Sequence, residues 1–248
     1  ELVKRLCDFL RPSNTEEEPA TGADDQVGPI DAKLAILDDG WGHYKSKNAK
    51  KPINVDGAPL PWFTYPTIEF LQQLDFTESR VLEWGAGGST LFWGARCNWV
   101  FTLERNLRWH EKISSLAADN TEVVYAHTKE EYLSLVPDEQ FDIIVIDGEL
   151  RRECVSVAVD VLAPGGLIIL DNSDWYTKAA EKLRIAGFVQ IDFSGFGPVN
   201  DYTWSTSLYL RGDLRFKPMY SRLPVHGVGS LSNFAVEERD GELSPDNT

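Results

Sequence analysis

Between residues 80 and 171 the sequence repeats one pattern, a short apolar segment followed by a stretch of helical length. The apolar segments are RVLEW, WVFTLE, EVVYA, FDIIVID and GLIILD, at residues 80–84, 99–104, 122–126, 141–147 and 166–171. Short, almost wholly apolar segments are typical of strands that are buried on both faces of a sheet. Because right-handed crossovers place such units side by side, the pattern predicts a doubly wound, mostly parallel α/β sheet with helices on both faces.

The flanking sequence completes the predicted domain. Residues 188–193 and 205–211 are interpreted as a closing pair of strands, and residues 67–75 as a helix before the first strand. The first residue is Glu rather than Met, which we interpret as a processed, trimmed or partial chain. We divide the chain into an N-terminal helix, acidic linker and lid-like segment (1–57), one α/β domain (58–212) and a C-terminal tail (213–248).

The charge balance restricts the partners that we expect. The formal net charge is −15, from 24 Lys and Arg against 39 Asp and Glu, and it repels phosphate backbones and anionic membranes. No apolar run approaches the roughly 20 residues that span a bilayer. We therefore expect neither nucleic acid nor a membrane as partner, and we interpret the basic run at 45–51 as a solvated loop.

The cysteines point to a reducing compartment. Cys7, Cys97 and Cys154 lack the spacing of a zinc site or of a disulfide framework. Cys154 falls on an apolar helix face and is interpreted as part of the core. We therefore expect a cytoplasmic protein.

The most specific motif is the loop V-L-E-W-G-A-G-G-S-T at residues 81–90. Its glycines lie between a strand and a helix, where a backbone turns tightly and approaches a ligand closely. Thr90 stands where the dinucleotide-binding pattern GxGxxG has its third glycine. Glu83 places a carboxylate before the loop, which suits the cationic amino-acid end of S-adenosylmethionine better than a pyrophosphate.

An acid also ends the second predicted strand. Glu104 lies about twenty residues after Gly85, a spacing at which a carboxylate can accept both ribose hydroxyls of an adenosine cofactor. The alternative is a surface acid at a strand end. Its position after the glycine loop favours the ligand role, but this does not separate NAD from S-adenosylmethionine.

Taken together, ExGxG, the acid ending the next strand, FDIIVIDG and LAPGGLIILD resemble the class I S-adenosylmethionine-dependent methyltransferases over about residues 60–211. The resemblance implies a Rossmann-like, mostly parallel seven-stranded sheet with an antiparallel last strand, and S-adenosylmethionine as cofactor. It also implies that the methionine part contacts Glu83, Gly85, Gly87 and Ser89, that the ribose contacts Glu104, and that the adenine lies near His127.

Polar residues follow the fourth and fifth strands, where ligands bind in open α/β sheets. Asp147, Asp171 and Asn172 there resemble the cation site of the metal-dependent catechol and caffeoyl-coenzyme A O-methyltransferases. That resemblance implies Mg²⁺ or another divalent cation, which prefers oxygen ligands. Two departures are Leu150, where those enzymes have a lysine, and a glycine loop one residue shorter than in the catechol enzymes. The alternative is that Asp147 contacts substrate or cofactor and the other two cap a helix.

Aromatic residues are concentrated in APLPWFTYP at 58–66 and in GFGPVNDYTW at 195–204. We expect some of them to form the wall of a pocket, and the alternative is ordinary packing beneath loops. The candidates are Trp62, Tyr65, Phe196, Tyr202 and Trp204.

The expected reaction is transfer of the sulfonium methyl to an oxygen of a small molecule, such as a sugar or a secondary metabolite. A hydroxyl acceptor needs a base or a metal. Asp147 and His43 are the candidates for catalytic residues, with Asp174 as a further possible base. The alternatives are a non-catalytic docking module of a larger assembly and, ranked lower, an NAD(P)-dependent oxidoreductase. The sequence gives no prediction of oligomeric state.

Overall fold

A computed structural model of the protein describes residues 35–212. Within that range seven strands form one sheet in the order β3-β2-β1-β4-β5-β7-β6. Only β7 runs antiparallel to its neighbours, so the predicted fold is confirmed. The strands are β1 Arg80–Trp84, β2 Trp99–Glu104, β3 Thr121–Tyr125, β4 Phe141–Ile146, β5 Leu162–Leu170, β6 Val189–Gly195 and β7 Trp204–Leu210. The predicted N-terminal helix, the acidic linker, Cys7 and the whole of the C-terminal tail (213–248) lie outside the described residues.

Helices cover both faces of this sheet. They follow a π-helix at Ile36–Trp41 and are α1 His43–Ala49, α2 Tyr65–Gln72, α3 Gly88–Gly94, α4 Leu107–Ser114, α5 Lys129–Ser134, α6 Arg151–Val161 and α7 Thr177–Ile185. In residues 35–212 none of the helices has the length and apolarity needed to cross a bilayer.

Helix α1 corrects the loop predicted at 45–51. Gly42 turns the chain in the left-handed region (φ 70°), and Asp38 accepts a hydrogen bond from the Tyr44 N–H at 2.8 Å. Ser46 is buried and donates to the Lys51 carbonyl at 2.7 Å. Lys45 and Lys47 therefore project from a short helix that is anchored at both ends, and Lys50 and Lys51 follow the end of that helix.

Strand β4 shows how the core is divided. Ile144 and Ile146 face a cluster that includes residues of α6 and α7, whereas Ile143 and Val145 face a second cluster with residues of α2 and α3. Alternate side chains of a strand point to opposite faces of the sheet, so an apolar strand serves both layers. Cys154 is fully buried in the first cluster, as predicted.

The segment at residues 50–62 packs over the glycine loop. Ile53 pairs with Pro59, and the Leu60 N–H donates to the Pro52 carbonyl at 2.9 Å. A Cβ at Gly88 would lie 2.2 Å from the Leu60 carbonyl oxygen, so only glycine allows this approach. The predicted boundary at 57 falls inside this paired turn.

Candidate cofactor and acceptor site

A cavity of about 770 Å³ lies at the carboxyl edge of the sheet, a size suited to a small-molecule ligand. Its walls come from the glycine loop, the ends of β2 and β4, helices α3 and α4, and the 50–62 segment. Five residues predicted as ligands line it, namely Gly85, Gly87, Ser89, Glu104 and Asp147. The β1–β4 pair, where the strand order reverses, thus carries the site as expected for an open α/β sheet.

Two glycines bring the loops after β1 and β4 into backbone contact. Gly85 has φ 99°, and a Cβ there would lie 2.7 Å from the Gly148 Cα. A Cβ at Gly148 would lie 2.1 Å from the Tyr132 hydroxyl. Larger residues would separate the loops. Gly148 after β4 is therefore needed, together with the glycine loop, to form this side of the cavity.

Glu83 lies beneath the glycine loop and does not line the cavity. Its Oε2 accepts hydrogen bonds from the hydroxyls of Thr90 at 2.5 Å and Thr102 at 2.9 Å. Thr90 in turn accepts from the Gly87 N–H at 2.8 Å, which explains the threonine in place of a third glycine. These contacts make Glu83 a support of the loop, and a direct contact with the methionine part stays a prediction.

Burial raises the pKa of the Glu83 carboxyl to about 7. The neighbouring hydroxyls of Ser89, Thr90 and Thr102 oppose that shift, and the nearby charge of Glu104 adds to it. Its Oε1 is buried and has no hydrogen-bond partner in the described part of the chain. An ionised carboxylate is therefore costly at this position.

Two backbone hydrogen bonds hold the Glu104 carboxylate at the cavity wall, and its contact with a ribose stays a prediction. Its Oε2 accepts from the Ala86 N–H at 2.9 Å, and its Oε1 accepts from the Asn106 N–H at 2.6 Å. A carboxylate has about four lone-pair positions, so each oxygen can still accept one hydroxyl. Two backbone bonds thus orient the group without saturating it.

Lysine side chains also line the cavity, which the sequence analysis did not predict. Lys50 and Lys51 make no ion pair with a residue in the range 35–212, and Lys112 lies over the Trp109 ring at 4.0 Å. In a chain of net charge −15, three ammonium groups at one cavity favour a ligand with an anionic group. The close packing of the 50–62 segment on Gly88 brings two of them to the site, and no local motif reveals it.

The structure brings Asp147, Asp171 and Asn172 together around the Arg151 guanidinium. Arg151 donates to the Asp147 carboxylate at 3.0 Å and to the Asn172 side-chain oxygen at 3.2 Å. Asp171 contributes only its backbone carbonyl, because its carboxylate accepts from Trp204 at 3.0 Å and from Thr206 at 2.5 Å. Burial raises the pKa of Asp147, and Arg151 opposes that shift.

This arrangement does not fit the divalent cation that the resemblance implied. A bound cation would have to displace a guanidinium that is already hydrogen-bonded to these oxygens. Between residues 35 and 212 no group of three or more His, Cys, Asp or Glu side chains is placed to hold a metal ion. Arg151, one residue after the expected lysine position at Leu150, supplies the positive charge instead.

Two predicted histidines lie off the cavity wall. His43 Nδ1 is 3.1 Å from the Tyr65 hydroxyl, and its Nε2 is 3.9 Å from the Asp201 carboxylate. His127 is exposed and pairs with the Tyr125 hydroxyl at 3.0 Å. Trp109 lies on the wall instead, with its indole N–H bonded to the Ala86 carbonyl. The catalytic role of His43 and the adenine contact of His127 stay predictions.

The predicted aromatic wall divides into a buried and an open part. Tyr65 and Trp204 are core residues, whereas Trp62, Phe196 and Tyr202 are exposed. Two further exposed rings, Trp175 and Tyr176, follow β5 and were not among the predicted candidates. We call Trp175, Tyr176 and Tyr202 the aromatic rim.

The rim lies beside the end of the cavity that Asp147 lines. The Trp175 and Tyr202 ring centroids are 6.1 Å apart. Tyr176 stacks at 4.1 Å on Arg151, which in turn contacts Asp147. An open surface with several rings therefore continues from the cofactor cavity across the ends of β4 and β5.

Comparison with known proteins bears on the fold. No protein-family model matches the sequence, and no curated protein matches it. Among solved structures, a protein from Klebsiella pneumoniae assigned as an O-methyltransferase superposes with a TM-score of 0.50 at 17% identity, covering 75% of this chain and 97% of that one. The protein described here thus has the class I methyltransferase fold.

Two more solved structures are less similar. A precorrin-6Y C5,15-methyltransferase from Geobacter metallireducens gives a TM-score of 0.48 at 18% identity, covering 67% of this chain and 96% of that one. The N-methyltransferase NodS from Bradyrhizobium japonicum, in complex with S-adenosylhomocysteine, gives 0.43 at 15% identity, covering 55% and 80%. At these identities the likeness shows the fold alone.

Proposed function

We propose that the protein is an S-adenosylmethionine-dependent methyltransferase that methylates an oxygen of a small molecule. The observation that carries the proposal is the single cavity lined by the glycine loop, Glu104 and Asp147 at the reversal of strand order. A fold shared with methyltransferases is consistent with this function but does not by itself assign it.

Each part of the cofactor has a group of matching chemistry on the wall. Glu104 keeps two acceptor positions for the ribose hydroxyls, and Gly87 and Ser89 border the space for the methionine part. The ammonium groups of Lys50 and Lys51, which make no ion pair within residues 35–212, suit the carboxylate of that part. A nicotinamide dinucleotide would use the same Glu104 acceptors and ammonium groups. We favour S-adenosylmethionine because the fold is that of class I methyltransferases and because Thr90 stands in place of the third glycine of the dinucleotide pattern.

The reaction follows from this placement. A lone pair of the acceptor oxygen forms the bond to the methyl carbon while the carbon–sulfur bond breaks, and its electrons go to sulfur, giving S-adenosylhomocysteine. The hydroxyl proton passes to a base, for which we propose Asp147 because its carboxylate is on the wall. His43 is the weaker candidate because it is off the wall and held by Tyr65. Alignment of the two reactants supplies most of the rate.

The aromatic rim supports a ring-bearing acceptor such as a sugar or a secondary metabolite. Exposed tryptophan and tyrosine rings bury large apolar area while their polar ends form hydrogen bonds. The net charge of −15 disfavours nucleic acid as acceptor. Cys97 and Cys154 are both free thiols, which supports a reducing compartment such as the cytoplasm.

The test is transfer of a tritiated methyl group from S-adenosylmethionine to a panel of sugars, phenols and amines. We expect label in a hydroxyl-bearing compound, and we expect Asp147→Asn to lower kcat by about 10²- to 10⁴-fold, the usual worth of a general base. The double variant Lys50→Glu, Lys51→Glu should raise the KM for S-adenosylmethionine, and Lys178→Glu, at an exposed lysine of α7 that does not line the cavity, is the control. Label confined to amines would contradict O-methylation.

A further inference from the structure

Arg151 has a role that neither the sequence pattern nor the resemblance assigned. We infer that its guanidinium takes the place of the divalent cation that the resemblance to metal-dependent O-methyltransferases implied, and that it holds the loops after β4 and β5 together. The inference rests on the proposed function, because those loops border the proposed acceptor site. It makes Arg151 a positioning residue and the enzyme independent of metal.

All five N–H groups of Arg151 are used. Nε donates to the Gly148 carbonyl at 2.9 Å, and one terminal nitrogen donates to both the Asp147 carbonyl at 2.8 Å and its carboxylate at 3.0 Å. The other terminal nitrogen donates to the Asp171 carbonyl and to the Asn172 side-chain oxygen. A guanidinium has five donors, so none remains for a substrate. Arg151 therefore acts through its neighbours.

The surroundings of Arg151 explain why it excludes a metal. The side chain is only 7% exposed, and the Tyr176 ring covers it at 4.1 Å. Of the five acceptors, only the Asp147 carboxylate is an acidic group, because Asp171 contributes its backbone carbonyl while its carboxylate accepts from Trp204 and Thr206. The guanidinium already occupies these acceptors, so a divalent cation could reach them only by displacing it.

The backbone is shaped around this contact. Leu150 and Asn172 have φ of 52° and 47°, in the left-handed region that residues other than glycine seldom adopt. Leu150 immediately precedes Arg151 at the start of α6, and Asn172 accepts its hydrogen bond. Arg151 therefore joins the side chains of these two turns, beside the backbone hydrogen bond from the Asp171 N–H to the Ile146 carbonyl at 3.3 Å.

The experiment compares full-length Arg151→Ala with Arg152→Ala, its exposed neighbour on the same helix. We expect Arg151→Ala to melt at a clearly lower temperature than Arg152→Ala. Guanidinium at millimolar concentration, far below denaturing levels, should raise that temperature relative to sodium chloride of equal ionic strength. The wild type and Arg152→Ala should not respond. Equal melting temperatures for the two variants, or no guanidinium response, would overturn the inference.

Metal binding and turnover provide two further readouts. We expect Mn²⁺ titration, followed by electron paramagnetic resonance, to detect no Mn²⁺ site that depends on Asp147. A Mn²⁺ site that is present in the wild type and lost in Asp147→Asn would overturn the inference. Once an acceptor is known, Arg151→Ala should lower kcat roughly 100-fold, with a small change in the dissociation constant of S-adenosylhomocysteine and with partial rescue by guanidinium. An equal loss for Arg152→Ala would count against it.

Further variants separate this inference from the proposed function. Arg151→Lys keeps the charge but has at most three donors, so its melting temperature should lie between those of wild type and Arg151→Ala. If Arg151→Ala does not fold, this variant and the Mn²⁺ titration decide the question. A wild type that binds no S-adenosylhomocysteine would refute the proposed function, while the melting and Mn²⁺ results would still report on Arg151.

Discussion

Replacing Glu83 by Gln should change how the stability of the protein depends on pH. Glu83 is fully buried, and burial raises its pKa from 4.5 to about 7. The folded state therefore holds a proton that the unfolded chain releases at lower pH. Such a group stabilises the folded protein in full below pH 4.5, and this stabilisation is lost as pH rises through about 7.

The size of the effect follows from the two pKa values. At about 1.4 kcal/mol per pH unit, the interval from 4.5 to about 7 corresponds to about 3 kcal/mol. Gln has nearly the same shape and keeps an oxygen to accept from Thr90 and Thr102. Gln cannot ionise. The free energy of unfolding of Glu83→Gln, relative to that of the wild type, should therefore rise by about 2 to 3 kcal/mol between about pH 5 and about pH 8.

Urea denaturation of the cofactor-free protein measures this difference at several pH values. Glu122→Gln is the matched control, because Glu122 is an exposed acid on β3 of the same sheet. We expect the difference in unfolding free energy from wild type to rise with pH for Glu83→Gln and to stay level for Glu122→Gln. A level difference for Glu83→Gln would show that Glu83 ionises normally and refute the reasoning.

Two further predictions concern packing at the site. Gly148→Ala should lower the free energy of unfolding by about 1 to 3 kcal/mol in urea denaturation, because its Cβ would lie 2.1 Å from the Tyr132 hydroxyl. Adding Tyr132→Phe should recover part of that loss, and a full loss in the double variant would contradict this reasoning. Trp204→Phe should cost about 2 kcal/mol in the same assay, since it deprives the buried Asp171 carboxylate of a hydrogen bond at 3.0 Å, and an unchanged midpoint would count against it.

The parts of the fold that the sequence predicted are those governed by local pattern. FDIIVI and RVLEW form β4 and β1 at nearly the expected residues, because apolar segments of strand length have few alternatives to burial in a sheet. The start of β5 at Leu162 was missed by four residues: Phe141 pairs with Leu162 across a register shift, and a Pro-Gly-Gly sequence does not predict a strand.

Site residues could be predicted from the sequence only where they lie at the end of a strand. Glu104 and Asp147 lie at carboxyl ends of parallel strands, which topology brings to one edge. Arg151 could not be predicted from its own position, because its acceptors come from two loops far apart in sequence. Lys50 and Lys51 were missed because their place on the cavity wall depends on how a preceding segment packs.

Calorimetric titration of the full chain with S-adenosylhomocysteine tests the central claim most directly. We expect micromolar binding in wild type and in Glu111→Ala, an exposed acid on α4, and we expect loss of binding in Glu104→Ala. The same affinity with Mg²⁺ and with EDTA would agree with the role inferred for Arg151. The absence of binding heat in wild type, together with binding of a nicotinamide dinucleotide, would contradict the account.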